Sequence, residues 1–426
     1  MGLLLLFLTN LIFPLAGIGV ILGFLFSSRR GLLKHLIPEM RERFGLEEPG
    51  TLIEQAVWLH CASVGEVRSI AQIIPALKEL YNRDILVTTT TQAGKETALK
   101  NKQISQVVLV PLDFYPSCRR FIRLANPYRL FLVEREIWPN LLEAAHRAGV
   151  PTAVINGRIS KKSVRSYLLV KPLFKRVLNY LRFAALQTPE DRHSYLKLGV
   201  ASEKLLVCGN IKYDTLNEAP AQLDRVDKIL TALGWNTHPI LVMGSTHPRE
   251  ETMMLRAMPD FIKQNLKVIF APRHLERLPE ICETLRQSGL AHAFVSDNNF
   301  PKSADILCAD VMGLLPALYA RATLTFVGGS VVARGAHNLL EPAILAKTVL
   351  FGEHFYNTAQ PALALLESGG GVLVNEYDFK TIVCRLLADP VQLSNMADKA
   401  RQTALTFKGA TQKILDGIQT YERTTT

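Results

Sequence analysis

Short apolar runs alternate with helical stretches along the chain beyond residue 50. Most runs are nearly continuous in apolar residues, which is typical of parallel strands covered on both faces. Intervening segments such as 70–80 and 140–148 have the apolar spacing of helices. In the first half, the pattern predicts strands at 57–62, 85–90, 107–112, 130–134, 152–155, 183–187 and 205–208.

A more polar stretch at 215–227 separates this series from a second one, with strands predicted at 240–243, 267–271, 293–295, 305–308, 324–327, 348–351 and 372–374. Two successive βα series predict an α/β protein with two Rossmann-like, doubly wound domains that face each other across a cleft. We assign 29–215 to the N-terminal domain and 216–426 to the C-terminal domain. The last helix is a candidate to pack back on the N-terminal domain.

The N-terminal segment has a different pattern. Residues 2–26 include no charged side chain, and this run of 25 residues exceeds the ~20 that a helix needs to cross a bilayer. Three basic residues follow at 29–34 and none precedes the run, so the positive-inside rule predicts that the remainder lies in the cytoplasm. We predict a transmembrane anchor at 1–28, with a buried or interfacial hairpin as the alternative.

Charge and composition narrow the class of protein. Apolar residues make up 48% and charged residues 20%, which excludes a disordered or fibrous chain. The net charge of +11 favours an acidic partner. Six cysteines without a CxxC pair favour reduced thiols in the cytosol.

Eight basic residues lie between 158 and 182, where acidic residues are absent and apolar bulk is interleaved. This segment predicts a surface for an anionic membrane or an acidic glycolipid, with a solvated helix face as the alternative. Nucleic acid is not expected, because no binding motif accompanies the charge. The basic residues are Arg158, Lys161, Lys162, Arg165, Lys171, Lys175, Arg176 and Arg182.

Two carboxylate motifs follow strand ends in the first domain. Ser63, Gly65 and Glu66 form a turn that opens a helix, where Glu66 is either a cap for backbone amides or a general base. Glu134 and Glu136 follow a buried strand at 130–133, and they emerge on opposite sides of the chain. Structural carboxylates that bond backbone amides are the alternative reading of that pair.

Candidate anion-binding residues follow three further strand ends. Lys212 closes the first domain and is placed to meet an anionic leaving group, or else is a solvated surface lysine. Arg273 after Pro272 is suited to bidentate binding of phosphate. A glycine-rich loop with Gly329 and Ser330 allows close backbone approach, and the helix start that follows offers amides to a phosphate. His337, Asn338 and Glu341 follow that loop, and Glu341 is suited to accept hydrogen bonds from ribose hydroxyls.

These motifs, in this order, resemble the 3-deoxy-D-manno-octulosonate (Kdo) transferases of lipopolysaccharide biosynthesis over essentially the whole chain. The turn at 63–66 is similar to the catalytic loop of that family, and 134–140 is similar to its Glu-x-Glu-x-Trp-Pro-Asn signature. Residues 88–94, 112–113, 157–160, 210–214, 272–274 and 327–342 resemble further family stretches.

The resemblance implies a metal-independent GT-B glycosyltransferase without a cofactor, bound to the inner membrane. It implies transfer of Kdo from CMP-Kdo to the 6′-hydroxyl of lipid A precursor (lipid IVA) with inversion. Glu66 is then the general base, and Glu134 and Lys212 stabilise charge in the transition state. The resemblance assigns CMP binding to Pro272, Arg273, Met312, Gly313, Leu314, Asn338, Leu339, Leu340 and Glu341.

Two other classes of function remain as alternatives. One is a different membrane-associated GT-B transferase of the cell envelope that uses UDP in place of CMP. The other is a non-catalytic membrane-bound scaffold, against which the intact Glu66, Glu134 and Lys212 argue. A dinucleotide-dependent dehydrogenase is disfavoured, since no Gly-x-Gly-x-x-Gly turn follows the first strand.

Overall fold

The computed structural model of the chain describes residues 2–7, 10, 39–44, 50–297 and 299–423. The chain divides into two compact units, one formed by 1–214 with 409–426 and the other by 215–408. Each unit holds one seven-stranded sheet whose neighbouring strands are all parallel. The prediction of two parallel-sheet α/β domains is confirmed, and each strand begins within one residue of its predicted start.

The sheet of the first unit has the strand order β3-β2-β1-β4-β5-β6-β7. The order reverses between β1 and β4, so the connections leave these two central strands in opposite directions. Alternate residues of the strands enter separate cores on the two faces, with Trp58 in one and Leu59 in the other. The strands are β1 (Val57–Cys61), β2 (Ile85–Thr89), β3 (Gln106–Leu109), β4 (Arg129–Val133), β5 (Thr152–Gly157), β6 (Ala184–Leu186) and β7 (Leu205–Val207).

Helices cover both faces of this sheet. Several begin at capping side chains, such as Ser63 and Thr188, whose hydroxyls accept backbone amides of the first turn. The helices are α1 (residues 2–7), α2 (residues 39–43), α3 (Val64–Ile70), α4 (Ile74–Tyr81), α5 (Gln92–Leu99), α6 (Tyr115–Ala125), α7 (Pro139–Arg147), α8 (Lys161–Leu169), α9 (Lys171–Leu178) and α10 (Pro189–Lys197).

The sheet of the second unit has the order β10-β11-β9-β8-β12-β13-β14, which reverses between β8 and β12. Its strands are β8 (Ile240–Thr246), β9 (Lys267–Pro272), β10 (His292–Phe294), β11 (Ile306–Cys308), β12 (Leu324–Val327), β13 (Val349–Phe351) and β14 (Gly371–Leu373). Its helices are α11 (Leu223–Leu233), α12 (Pro248–Lys263), α13 (Leu278–Ser288), α14 (Leu315–Arg321), α15 (Leu340–Ile344), α16 (Ala359–Ser368), α17 (Phe379–Leu387) and α18 (Pro390–Thr406).

The last helix, α19 (Ala410–Arg423), belongs to the first unit. Its buried residues Ala410, Ile414 and Ile418 join one of the two cores of that unit. At its start, the Asp214 carboxylate accepts the backbone amides of residues 409, 410 and 411. The first unit is therefore assembled from both ends of the chain.

Part of the predicted membrane anchor packs on the first unit. Leu6 in α1 is 5% exposed and lies in the core, and a Cβ added to Gly2 would lie 2.7 Å from the carbonyl oxygen of Pro172. Asn10 accepts the amide of Tyr115 at 2.7 Å. In the described part of the chain, no helix combines the length and apolar character needed to span a bilayer. The rest of the predicted anchor, including 11–28, lies outside the described residues.

Candidate active site

Glu66 lies where the strand order of the first sheet reverses. In doubly wound sheets, ligands bind beyond the carboxyl ends of the strands at this point. Glu66 follows β1 in the first turn of α3, and the hydroxyl of Ser63 accepts its backbone amide at 3.4 Å. The carboxylate in turn accepts the amide of Ala62 at 2.5 Å, and the residue is only 5% exposed.

The environment of Glu66 brings the pKa of its carboxyl close to neutral pH. Burial raises its pKa from 4.5 to about 7, and the negative charges of Glu134 and Glu136 add to the shift. The Ala62 amide and the charge of Arg135 act in the opposite direction. A carboxyl with this pKa exchanges a proton readily at physiological pH, which is the property that a general base needs. The bond from the Ala62 amide agrees with a capping role for Glu66, and its role as a general base stays a prediction.

Glu134 immediately follows β4 and is held in a left-handed backbone conformation, with φ of +58°. Such a conformation costs a non-glycine residue roughly 1–2 kcal/mol. Main-chain hydrogen bonds fix it, since its amide donates to Ile155 and its carbonyl accepts the amide of Arg158. Its carboxylate lies 2.9 Å from Nε of Arg158, and the Asn156 amide donates to it at 3.5 Å. The carboxylate is therefore oriented by groups at the carboxyl end of the neighbouring strand β5 and just beyond it.

Glu136 is held by a different set of groups, as expected for residues on opposite sides of the chain. Nε1 of Trp138 donates to its carboxylate at 2.6 Å, and Nε2 of His60 lies 3.5 Å away. The fully buried His60 ring is bound on its other side to the Thr88 hydroxyl at 2.9 Å. Burial acts to raise the pKa of Glu136, but the bonds from His60 and Trp138 outweigh it and the pKa is lowered. Glu136 is therefore a structural partner of His60 and Trp138.

Lys212 is exposed in a 3₁₀ turn (Ile211–Thr215) after the last strand of the sheet. The side chain of Asn156 anchors this turn, because its Oδ1 accepts the amide of Ile211 at 3.2 Å. The same side chain donates to Glu134, so one carboxamide links Glu134 to the turn of Lys212. Asn156 is fully buried, with φ of +53°.

The basic segment at 158–182 is not one uniform surface. Arg158 pairs with Glu134, and Arg176 pairs with the buried Glu143 at 3.2 Å, so these two cations serve carboxylates of the same unit. Their place on a lipid surface stays a prediction, although both cations have carboxylate partners. The other six residues, Lys161, Lys162, Arg165, Lys171, Lys175 and Arg182, are exposed.

In the second unit, the glycine-rich loop follows β12 at the point where the strand order reverses. Its amides have a partner within the same unit. The buried carboxylate of Glu250 accepts the amides of Gly329, Ser330 and Val331 at 3.0–3.1 Å, and that of His247 at 3.1 Å. Burial raises the pKa of Glu250, and these four bonds oppose the rise. An internal carboxylate therefore binds the loop amides at 329–331, and the prediction that the following helix start offers amides to a phosphate stays untested.

The residues predicted to bind CMP lie on three loops of this unit. Arg273 is exposed after β9, and its amide donates to the carbonyl of Thr246 at the end of β8. Asn338 donates to Glu341 at 3.0 Å and accepts the amide of Leu340 at the start of α15. Four further residues differ widely in exposure: Pro272, Leu314 and Leu339 are buried, whereas Met312 is 74% exposed beside Gly313.

Sequence reasoning missed His247 and Glu250. The available signal was the order strand, His, Pro and Glu at 246–250, which is typical of a capped helix start at the end of a central strand. His247 lies with His274 and His337, its ring centroid 5.8 Å from each of theirs. In the described ranges, no group of three or more His, Cys, Asp or Glu side chains is arranged to hold a metal ion. Metal-independent transfer stays a prediction.

Comparison with known proteins identifies relatives of both sequence and fold. Residues 38–215 match the family described as 3-Deoxy-D-manno-octulosonic-acid transferase (kdotransferase). A 3-deoxy-D-manno-octulosonic acid transferase of Haemophilus influenzae is 30% identical over 375 residues, which make up 86% of this chain and 87% of the relative. A bifunctional glycosyltransferase/methyltransferase of Fusobacterium nucleatum is 31% identical over 76% of this chain, but the chain spans only 51% of its length.

The crystal structure of a glycosyltransferase from Rickettsia africae has the same fold, with a TM-score of 0.59 at 11% identity over 87% of this chain and 98% of that chain. The two parallel-sheet units and the sequence relatives together define a glycosyltransferase. The chain belongs to the Kdo transferase family, whose members transfer 3-deoxy-D-manno-octulosonic acid in lipopolysaccharide biosynthesis.

Proposed function

We propose that the protein transfers Kdo from CMP-Kdo to the 6′-hydroxyl of lipid A precursor with inversion, at the cytoplasmic face of the inner membrane. The buried Glu66 at the strand reversal, with its pKa of about 7, is the observation that carries this proposal. Its carboxylate takes the proton of the attacking hydroxyl. The new C–O bond forms at the anomeric carbon of Kdo as the bond to the CMP phosphate breaks, and CMP leaves with the electron pair.

Charge that develops in this transition state needs partners of opposite sign. Glu134, fixed by Arg158 and Asn156, is suited to face positive charge on the anomeric centre. Lys212 is suited to face the leaving phosphate. On the donor side, the exposed Arg273 is the cation for the phosphate, and Asn338 with Glu341 forms a polar pair for the ribose.

The acceptor and the membrane meet the first unit at a mixed apolar and basic surface. Leu169, at the end of α8, is 86% exposed, and exposed basic residues precede and follow it. Leu3, Leu4 and Phe7 of α1 are also exposed, 48–63%, and α1 packs beside the start of α9. Apolar side chains ringed by cations are typical of segments that insert into an anionic lipid interface.

A transfer assay tests the reaction. Purified full-length protein is incubated with CMP-Kdo generated in situ and tetraacyl lipid A precursor, and the products are analysed by mass spectrometry. Mass increments of Kdo with the wild type, their loss with Glu66→Gln and their retention with the exposed control Glu96→Gln are expected. Competition by CMP but not by UDP is expected as well. A wild type that binds CMP but adds no Kdo would overturn the proposed acceptor, and competition by UDP alone would favour a UDP-sugar transferase.

A further inference from the structure

The imidazole of His247 is buried at the carboxyl end of β8, and its Nε2 is left without a hydrogen-bond partner in the described part of the chain. The residue is 8% exposed. A buried polar group left without a partner costs roughly 1–3 kcal/mol. Such a group in the crevice at a strand reversal is a candidate to contact a ligand. His247 is also the residue that precedes α12, whose first amides and helix dipole favour negative charge.

Residues from two other segments lie near this imidazole. The ring centroids of His274, after β9, and His337, after β12, each lie 5.8 Å from that of His247. His274 is oriented by Glu276, whose carboxylate lies 2.9 Å from its Nδ1. Arg273 is bonded through its backbone to Thr246, directly before His247.

The charges that face His247 are predominantly positive or already neutralised. Arg334 and Arg277 act on it electrostatically, as does His274. Its two nearest carboxylates have internal partners, since Glu250 accepts four backbone amides and Glu251 binds Arg277 at 2.8 Å. A local excess of donors over free acceptors favours an anionic ligand.

We propose that the imidazole of His247 binds the phosphate of the donor nucleotide, with His274 and His337 completing the site beside Arg273. This inference rests on the proposed donor and extends it, because it adds three histidine side chains to Arg273 as partners of the phosphate. The phosphate of CMP, a dianion once the sugar has left, favours the imidazolium form of His247, so binding of CMP takes up a proton. In the free protein, burial and the charges of His274 and Arg334 lower the pKa of His247 and keep the ring neutral near pH 7.

Calorimetric titration of the full-length protein tests this assignment. CMP, cytidine, UMP and inorganic phosphate are titrated into the wild type, His247→Gln and the control His292→Gln, which lies at the amino end of β10. Repeating the CMP titration in buffers of different ionisation enthalpy gives the protons taken up on binding. Thermal unfolding checks that each variant is folded, and His247→Asn replaces His247→Gln if the latter is unstable.

We expect His247→Gln to weaken CMP binding about tenfold to a hundredfold, which is the usual contribution of a hydrogen bond to a charged group. Cytidine affinity should be unchanged, proton uptake should fall, and His292→Gln should behave as the wild type. Equal losses for CMP and cytidine, or unchanged proton uptake, would overturn the proposal. A wild type that bound UMP more tightly than CMP, with a lower UMP affinity in His247→Gln, would give a different result. It would refute CMP-Kdo as the donor but would support His247 as a phosphate-binding residue. A wild type that bound none of the four compounds would refute both.

Discussion

Nε of Arg158 lies 2.9 Å from Oε2 of Glu134, so the first cation of the basic segment belongs to a candidate catalytic carboxylate. This pair connects the loop after β4 to the loop after β5. Arg158 is thereby distinguished from Lys161 and Lys162 of the same basic segment, which are exposed.

We expect Arg158→Gln to lower kcat roughly tenfold, less than the 10²–10³-fold loss typical for a group in direct contact with a transition-state charge. Binding to vesicles should be unchanged, because the side chain is committed to Glu134. Kinetics and vesicle sedimentation of the same preparation measure both. The reverse outcome, full activity with weakened vesicle binding, would show that Arg158 contributes to lipid binding and not to catalysis.

The exposed basic residues of α8 should have the opposite effect. A Lys161→Ala, Lys162→Ala, Arg165→Ala triple variant should bind less to vesicles containing anionic lipid, at about 1 kcal/mol per cation in low salt. Transfer to a detergent-dispersed acceptor should fall less than transfer to acceptor in a bilayer. Sedimentation with neutral vesicles is the control, and an equal loss on neutral and anionic vesicles would contradict an electrostatic role.

The raised pKa of Glu66 predicts how both activity and stability depend on pH. Because burial raises its pKa to about 7, kcat/KM should rise with pH up to about 7 as the carboxylate forms. Glu66→Ala should leave folding and CMP affinity near normal and lower turnover by ~10²–10⁴. A loss of CMP affinity as large as the loss of rate would argue against the role of general base.

The raised pKa of Glu66 also determines whether the free energy of unfolding rises or falls with pH. The folded protein keeps a proton on Glu66 that the unfolded chain releases between pH 4.5 and about 7. The free energy of unfolding of the wild type therefore falls across this window relative to that of Glu66→Gln, which has no charge to bury. Denaturant unfolding at pH 5 and pH 8 measures the difference. A constant difference between the two proteins would show that Glu66 titrates normally in the folded state.

Glu143 should be essential to the packing of α9 against α7, because it binds Arg176 of α9. It is 1% exposed and accepts hydrogen bonds from Arg147, Arg176 and Tyr180. Burial opposes ionisation, but these bonds outweigh it and lower the pKa of Glu143 to about 2. Its stabilisation is thus complete above pH 4.5 and lost as the pH falls towards 2. Glu143→Gln should lower the free energy of unfolding by about 2 kcal/mol at pH 7, and a difference that persists at pH 2 would contradict this origin.

The strands and the position of Glu66 could be predicted from local pattern. Buried parallel strands are continuous apolar runs, and a carboxylate after the first strand of a doubly wound sheet lies near its reversal point. The partners of the carboxylates could not be predicted, because they come from distant segments. Asn156 reaches Glu134 and Ile211 only through a left-handed backbone, and Glu250 lies about 80 residues before the loop that it bonds.

The contribution of α19 to the first unit has a consequence for how the protein is made. Asp214 and the Gly409 amide that it caps are 195 residues apart, and Ala410, Ile414 and Ile418 fill a core whose other members emerge from the ribosome much earlier. At 5–20 residues per second, translation leaves that core open for roughly 10–40 s. The apolar surface that α19 covers must be tolerated or shielded by chaperones for that time. Premature termination anywhere in the second unit therefore damages the first.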